Sequence, residues 1–157
     1  MSYSLSFWEK CTSFGFVFND SFPQYVFKNE PLFLPDDTPN LNSPTPVLNN
    51  LLSTGTGFKI IKTASYQISY SLSVNLNNSS ESLEKLVFSL LLNNSSISES
   101  LTTVCITNAS INELYVVSDT IIVNLTEGDL IQITPIEINE PIEVTTAALT
   151  IIEIEHN

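Results

Sequence analysis

The stretch "TASYQISYSLSVN", residues 63–75, alternates apolar and polar side chains almost without interruption. Successive side chains of a β-strand point to opposite faces, so this stretch predicts a long, half-buried strand. Its apolar face carries four residues for which we predict a place in the core or at a trimer interface: Tyr66, Ile68, Tyr70 and Leu72. Its other face is built from serine and glutamine and carries no charge. A neutral, hydroxyl-rich face suits contact with another polypeptide as well as contact with water.

Strand signals continue along the rest of the chain, at the short and regular spacing of a sandwich or barrel. The fold class that they predict is all-β, an antiparallel two-sheet jelly roll of about nine or ten strands. The proline-rich residues 35–46 predict a long loop, because proline cannot donate to a strand ladder. In "LTEGD", Gly128 predicts a tight turn that needs a positive φ. The clearest further strand candidates are "SFGFVFND" (13–20), "KLVFSLLLNN" (85–94), "SLTTVCIT" (100–107), "ELYVVSDTIIVNL" (113–125), "DLIQITPIEI" (129–138) and "AALTIIEIE" (147–155).

The charge of the chain is strongly acidic, with 17 aspartates and glutamates against five lysines and a formal net charge of −12. Nucleic acids and anionic membranes are bound through clustered basic residues, so this balance argues against both partners. No stretch approaches 18 apolar residues, and the N-terminus lacks the basic and apolar regions of a Sec signal peptide. We expect an extracellular protein, or one on a cell or spore surface, that is placed there without a Sec signal.

The residues that carry chemistry are few, and we expect no enzyme activity, no cofactor and no metal site. The single histidine, His156, is the penultimate residue, where a catalytic group would be poorly fixed. The two cysteines, Cys11 and Cys105, match no metal-binding or redox spacing. Cys105 lies in an apolar run, which predicts a buried thiol. Cys11 lies in an N-terminal segment that predicts exposure, and an inter-subunit disulfide through it stays open.

Several of these stretches together resemble a known family. "FKIIKTASYQISYSLSVN" (58–75), "IIVNLTEGDLIQI" (121–133) and the closing "AALTIIEIE" look like the bacterial branch of the C1q/TNF-like jelly-roll superfamily. The nearest type is the C-terminal head of collagen-like exosporium glycoproteins of spore-forming bacteria. The resemblance implies a homotrimer of ten-stranded sandwiches, with Tyr66 and Tyr70 near the threefold axis. Two features depart from the family pattern: Ala64 replaces a usual glycine, and no collagen-like stalk is present in this sequence.

The domain organisation that follows is an N-terminal arm, residues 1–13, and a single jelly-roll domain, residues 14–157. The arm carries Phe7, Trp8 and Cys11, which we predict to form an inter-subunit connector; an edge strand of the arm's own domain is the alternative.

The function that we expect is a non-enzymatic structural subunit of a bacterial spore surface layer or appendage fibre, self-assembling through trimeric jelly rolls. Two alternatives stay open: a ligand- or receptor-binding head at a fibre tip, and a viral or phage capsid or fibre jelly roll. The expected partners are further copies of the chain, with a surface-anchoring protein or surface ligand besides. Nucleic acid and membrane insertion are not expected.

Overall fold

The computed structural model describes residues 12–20, 23–36, 45–76, 83–107 and 113–154. This part of the chain contains twelve β-strands, one 3₁₀ helix (Ser98–Ser100) and no α-helix. Strands β3, β4 and β8 were not expected individually, because two or three residues are too few to show an alternation. The strands are β1 Phe14–Asn19, β2 Gln24–Val26, β3 Val47–Asn49, β4 Leu51–Ser53, β5 Gly57–Ile60, β6 Ala64–Asn75, β7 Leu83–Leu92, β8 Ser95–Ser96, β9 Thr102–Thr107, β10 Leu114–Leu125, β11 Leu130–Glu137 and β12 Ile142–Glu153.

Two antiparallel sheets form a sandwich. Sheet A has the order β10-β6-β12-β1-β3, and β2 pairs with the part of β12 that β1 does not reach. Sheet B has the order β4-β5-β11-β7-β8, and β9 pairs with β7 beyond the end of β8. The opening stretch of the sequence is β6, the second strand of sheet A. It pairs along nearly its whole length with β10 on one side and β12 on the other.

The hydrophobic core lies between the two sheets and is filled by every second residue of each long strand. In sheet A, β6 contributes Tyr66, Ile68, Tyr70 and Leu72, each at most 2% exposed. Sheet B contributes Phe58 of β5, Phe88 of β7 and Ile131 of β11, all fully buried. This is the burial that the period of two in the sequence predicts for the apolar face of each strand.

Strand β11 contains Pro135, although it lies inside sheet B. The strand β5 pairs with it only as far as Gln132. Beyond that point, the loop before the proline-rich segment pairs with β11 instead. The Leu32 N–H donates to the Ile133 carbonyl at 2.9 Å, and the Asn29 N–H donates to the Pro135 carbonyl at 2.7 Å. Proline is tolerated here because its carbonyl still accepts a hydrogen bond and the neighbouring register is shifted by a bulge.

Glycine is needed at two places in this framework. A Cβ at Gly57 would lie 1.8 Å from the Ile131 carbonyl oxygen, so only glycine allows β5 to approach β11. Gly128 has a φ of +94° in the turn between β10 and β11, which confirms the turn predicted from the sequence.

Candidate interaction surface

The outward side of sheet A is the surface that the strand pairings assemble from residues far apart in the sequence. Its outward positions are every second residue of β6, from Ser65 to Asn75, and every second residue of β10, from Leu114 to Asn124. The pairing brings the two strands' hydroxyls together, and Ser69 Oγ lies 2.9 Å from Thr120 Oγ1. We call this side the neutral face. It continues across β12 and β1 to β3.

Large apolar side chains project from the neutral face. On β10, Val116 and Ile122 are 66% and 69% exposed. On β1, Phe16 is 43% exposed, and its ring stacks on that of Phe18 at a centroid separation of 6.4 Å. Single exposed apolar residues are ordinary, but a set drawn from β10, β12, β1 and β3 of one sheet is typical of a surface that binds another protein.

Charge is nearly absent from the same surface. Among the described residues at its outward positions, Glu143 is the one charged side chain, and it lies at one end, opposite Asn75 of β6 and Tyr25 of β2. Although the chain has a net charge of −12, Glu143 is thus the one charge at the described outward positions of these five strands. An unpaired charge is costly to bury, so a face meant to be covered is better built from serine, threonine and apolar side chains.

Strand β10 forms an open edge beside the neutral face. Among the described residues it pairs with β6 alone, along twelve residues. Long exposed edges are normally protected by charges, prolines or bulges, because they can pair with other chains. The one acidic residue of β10, Asp119, turns its carboxylate to the backbone N–H of Thr120 at 2.8 Å. The edge and the neutral face together offer one continuous contact surface.

The four residues predicted on the apolar side of β6 do not reach this surface, because they lie in the core of the single chain. Tyr66 donates its hydroxyl to the Lys62 carbonyl at 2.6 Å. Tyr70 donates to Thr102 Oγ1 at 2.9 Å and to the Ser100 carbonyl at 3.3 Å. Burial raises the pKa of both phenols, that of Tyr70 to about 12. The serine side of β6 is the side that faces outward.

Three aromatic residues on the outward side belong to β1. Gly15 and Val17 face the core, so Phe14, Phe16 and Phe18 are turned to the outside. A Cβ on Gly15 would meet Leu51 at 2.8 Å, so the inward side of β1 has no room for larger side chains at this point. The small residue between two phenylalanines was the signal in the sequence that could have indicated this orientation.

Of the two cysteines, Cys105 is the one that lies among the described residues, and the prediction that its thiol is buried was wrong. Cys105 is exposed, because it lies on the outer side of β9 opposite Lys85, whereas its neighbour Ile106 turns inward. Phe7, Trp8, Cys11 and His156 lie outside the described residues. Within the described ranges, no group of three or more histidine, cysteine or acidic residues could hold a metal ion.

The root of the N-terminal arm is fixed between two strands. The Ser13 N–H donates to Glu153 Oε2 at 2.9 Å, and the Glu153 N–H donates back to the Ser13 carbonyl at 2.7 Å. On the other side, Asn49 Nδ2 donates to the Thr12 carbonyl at 2.9 Å. Lys62 Nζ completes the cluster at 2.6 Å from Glu153 Oε1. The chain therefore enters the sandwich in line with β1.

This cluster predicts an acid-sensitive contribution to stability. Burial raises the pKa of the Glu153 carboxyl, but hydrogen bonds from Lys62 and Ser13 outweigh it and hold the pKa below the ordinary value of 4.5. A lowered pKa stabilises the fold above the ordinary value, and this stabilisation is lost as pH falls through the folded-state value. Glu153→Gln should cost about 1 kcal/mol near neutral pH, because Lys62 is half exposed.

Thermal melts of the wild type and Glu153→Gln, taken from neutral pH down to about pH 3, measure the effect. The difference between the two melting temperatures should shrink on acidification. A difference that stays constant over the whole range would contradict the assignment.

Comparison with known proteins gives the fold a name. No protein-family model matches the chain, and no curated protein matches it. Among solved structures, the globular domain of the zebrafish complement 1qA protein superposes with a TM-score of 0.60 at 16% identity, covering 92% of this chain and 99% of that one. The fold is a C1q/TNF-like jelly roll.

Two other solved structures superpose on this jelly roll. Eiger TNF from S. frugiperda gives a TM-score of 0.59 at 12% identity, with 93% of this chain and 94% of that chain covered. Murine APRIL gives 0.54 at 9% identity, with 92% and 100% covered. The all-β antiparallel jelly roll expected from the sequence is thereby confirmed. None of the described residues forms a helix long and apolar enough to cross a membrane.

Proposed function

We propose that this chain is a non-enzymatic structural subunit that assembles as a homotrimer through the neutral face and the open edge of β10. The observation that carries the proposal is an outward side, shared by five strands of sheet A, that is apolar and hydroxyl-rich, with Glu143 its one charge among the described residues. Three copies that cover this face bury Phe16, Val116 and Ile122 without burying an unpaired carboxylate. The likeness of the fold to C1q and TNF jelly rolls supports the same arrangement.

The site of action that we propose is the surface of a bacterial spore, in a layer or an appendage fibre. The support is the resemblance of residues 58–75, 121–133 and 147–155 to exosporium glycoprotein heads. The charge distribution suits a subunit that is exposed once it has assembled. A net charge of −12, carried mostly away from the neutral face, keeps the surface of the assembly well solvated.

Native mass spectrometry of the purified chain at micromolar concentration tests the proposal. We expect species of three chains or multiples of three, because covering the apolar side chains of the neutral face favours association. A chain that remains monomeric under these conditions would overturn it. Enzymatic turnover that survives purification and disappears with a point substitution would overturn the non-enzymatic part.

A second function is favoured by aromatic side chains that lie on β2 and in the loop that follows it. Tyr25, Phe27 and Phe33 are 57%, 48% and 51% exposed. The amide of Gln24 binds both the N–H and the carbonyl of Phe33, at 2.8 and 2.9 Å, so that this loop is held against β2. Such a surface would serve a head that binds a ligand at a fibre tip. Negative-stain electron microscopy separates the two functions, since filaments or layers favour the structural subunit and single trimers favour the head.

A further inference from the structure

A groove of about 600 Å³ lies at the end of the sandwich where the arm begins. Its walls come from β4, from the end of β5 and the β5–β6 connection, and from the turn between β10 and β11. Two of its apolar residues, Leu52 and Ile61, are 48% and 42% exposed. We call it the end groove.

The groove is held in shape by hydrogen bonds between its two walls. The Gly128 N–H donates to the Ile60 carbonyl at 2.8 Å, and the Ile60 N–H donates to the Asp129 carbonyl at 2.8 Å. The Glu127 N–H donates to Thr63 Oγ1 at 3.0 Å. A preformed apolar groove loses little entropy on binding, so it suits a short peptide segment with apolar anchors.

The N-terminal segment, residues 1–11, has the composition that this groove fits. It offers Phe7 and Trp8 as apolar anchors, followed by Glu9 and Lys10. The groove carries Lys59 and Glu127 at its rim, one charge of each sign. The two charges on the segment can therefore be matched by opposite charges on the groove.

The position of the arm root indicates which molecule's groove is filled. Lys62, between the groove residues Ile61 and Thr63, binds Glu153, which in turn holds Ser13. The arm root and the groove therefore share one end of the molecule. Thr12 continues the line of β1 past the end of the sandwich, so a segment extended along that line would reach a molecule placed end to end. Trp8 lies four residue steps before Thr12, which correspond to about 14 Å in an extended chain.

We propose that the end groove binds the N-terminal segment of a second copy of this chain, placed end to end, with the two arms exchanged reciprocally. A surface that carries both the inserting segment and its groove is self-complementary, so the contact closes around a twofold axis. This inference adds to the proposed function and rests on it. The exchange links one trimer to another, so that two trimers form a particle of six chains.

The chain offers a direct probe, because Trp8 is its single tryptophan. In the wild type, we expect Trp8 fluorescence to be shifted to the blue and protected from acrylamide. Ile61→Glu, which places a carboxylate in the groove, should shift the emission to the red, raise the quenching and convert six-chain particles to trimers. Phe27→Glu serves as the control, since Phe27 is equally exposed outside the groove and should leave Trp8 unchanged.

Mixing two defective proteins tests the exchange itself. Ile61→Glu keeps its arm but has a damaged groove, whereas a chain lacking residues 2–11 keeps its groove and has no tryptophan. If the arm binds another molecule, adding the truncated protein should restore the blue shift of Ile61→Glu. Emission that is unchanged on mixing would overturn the exchange, as would a solvent-exposed Trp8 in the wild type. Pairs of chains in place of groups of six would leave the exchange standing and overturn the trimer.

Discussion

Phe16→Asp is expected to convert the trimer into folded monomers. In the single chain Phe16 is 43% exposed and projects from the neutral face, so its loss removes little from the core. In the proposed trimer the same position is covered, and a carboxylate there would be buried without a partner. Removing the partner of a buried charge costs about 3–5 kcal/mol, and an unpartnered carboxylate at each of three contacts faces a comparable penalty.

Native mass spectrometry and far-UV circular dichroism together measure the outcome of Phe16→Asp. The mass should fall to one chain, and the β-rich spectrum should stay. Phe33→Asp is the matched control, because Phe33 is 51% exposed and lies in the loop that pairs with β11 of sheet B, so the trimer should stay intact. Ser71→Asp repeats the test on the hydroxyl-rich part of the face. Trimers that persist in both Phe16→Asp and Ser71→Asp would place the interface elsewhere.

Tyr70→Asp is expected to unfold the domain. Tyr70 is 2% exposed and lies among the core residues between the sheets. Aspartate at this position would remove the ring and bury a carboxyl group that the ring's surroundings cannot solvate. Losses above about 4 kcal/mol are exceptional among single substitutions and arise from core changes of this kind, and a domain has only about 5–15 kcal/mol of total stability.

Tyr70→Phe is the control for this substitution. It keeps the ring and removes only the hydroxyl, which leaves Thr102 Oγ1 and the Ser100 carbonyl without their donor. The expected loss in urea denaturation is about 1–3 kcal/mol, with the fold retained. A Tyr70→Asp variant that stays folded and merely dissociates would show that Tyr70 lies at a subunit contact and not in the core.

The strand class of this fold could be predicted because it depends on neighbours in the sequence. Ala64 to Val74 alternate with a period of two, and that period fixes two opposite faces whatever the strand pairs with. Gly128 is similar, since the need for a positive φ in a tight turn is local. The absence of charge from the serine side of β6 could be predicted for the same reason, because it depends only on alternation within one stretch of sequence.

The orientation of β1 and β9 could not be predicted in this way. On β1 both sides carry residues that a core could accept, and the close approach of Leu51 to Gly15 decides that the phenylalanines point outward. On β9, Cys105 and Ile106 are both suitable for burial, and the pairing of Cys105 with Lys85 decides that the thiol is exposed.

By itself, the sequence determined that this protein is an antiparallel β-sandwich with one uncharged strand face, because alternation and turn chemistry act over a few residues. Only the tertiary structure decided that this strand face joins the outward sides of β10, β12, β1 and β3 into a single neutral surface. It also decided that the arm root and the end groove lie at the same end. Both depend on the order in which distant strands pair, and strand order is set by the packing of the whole core.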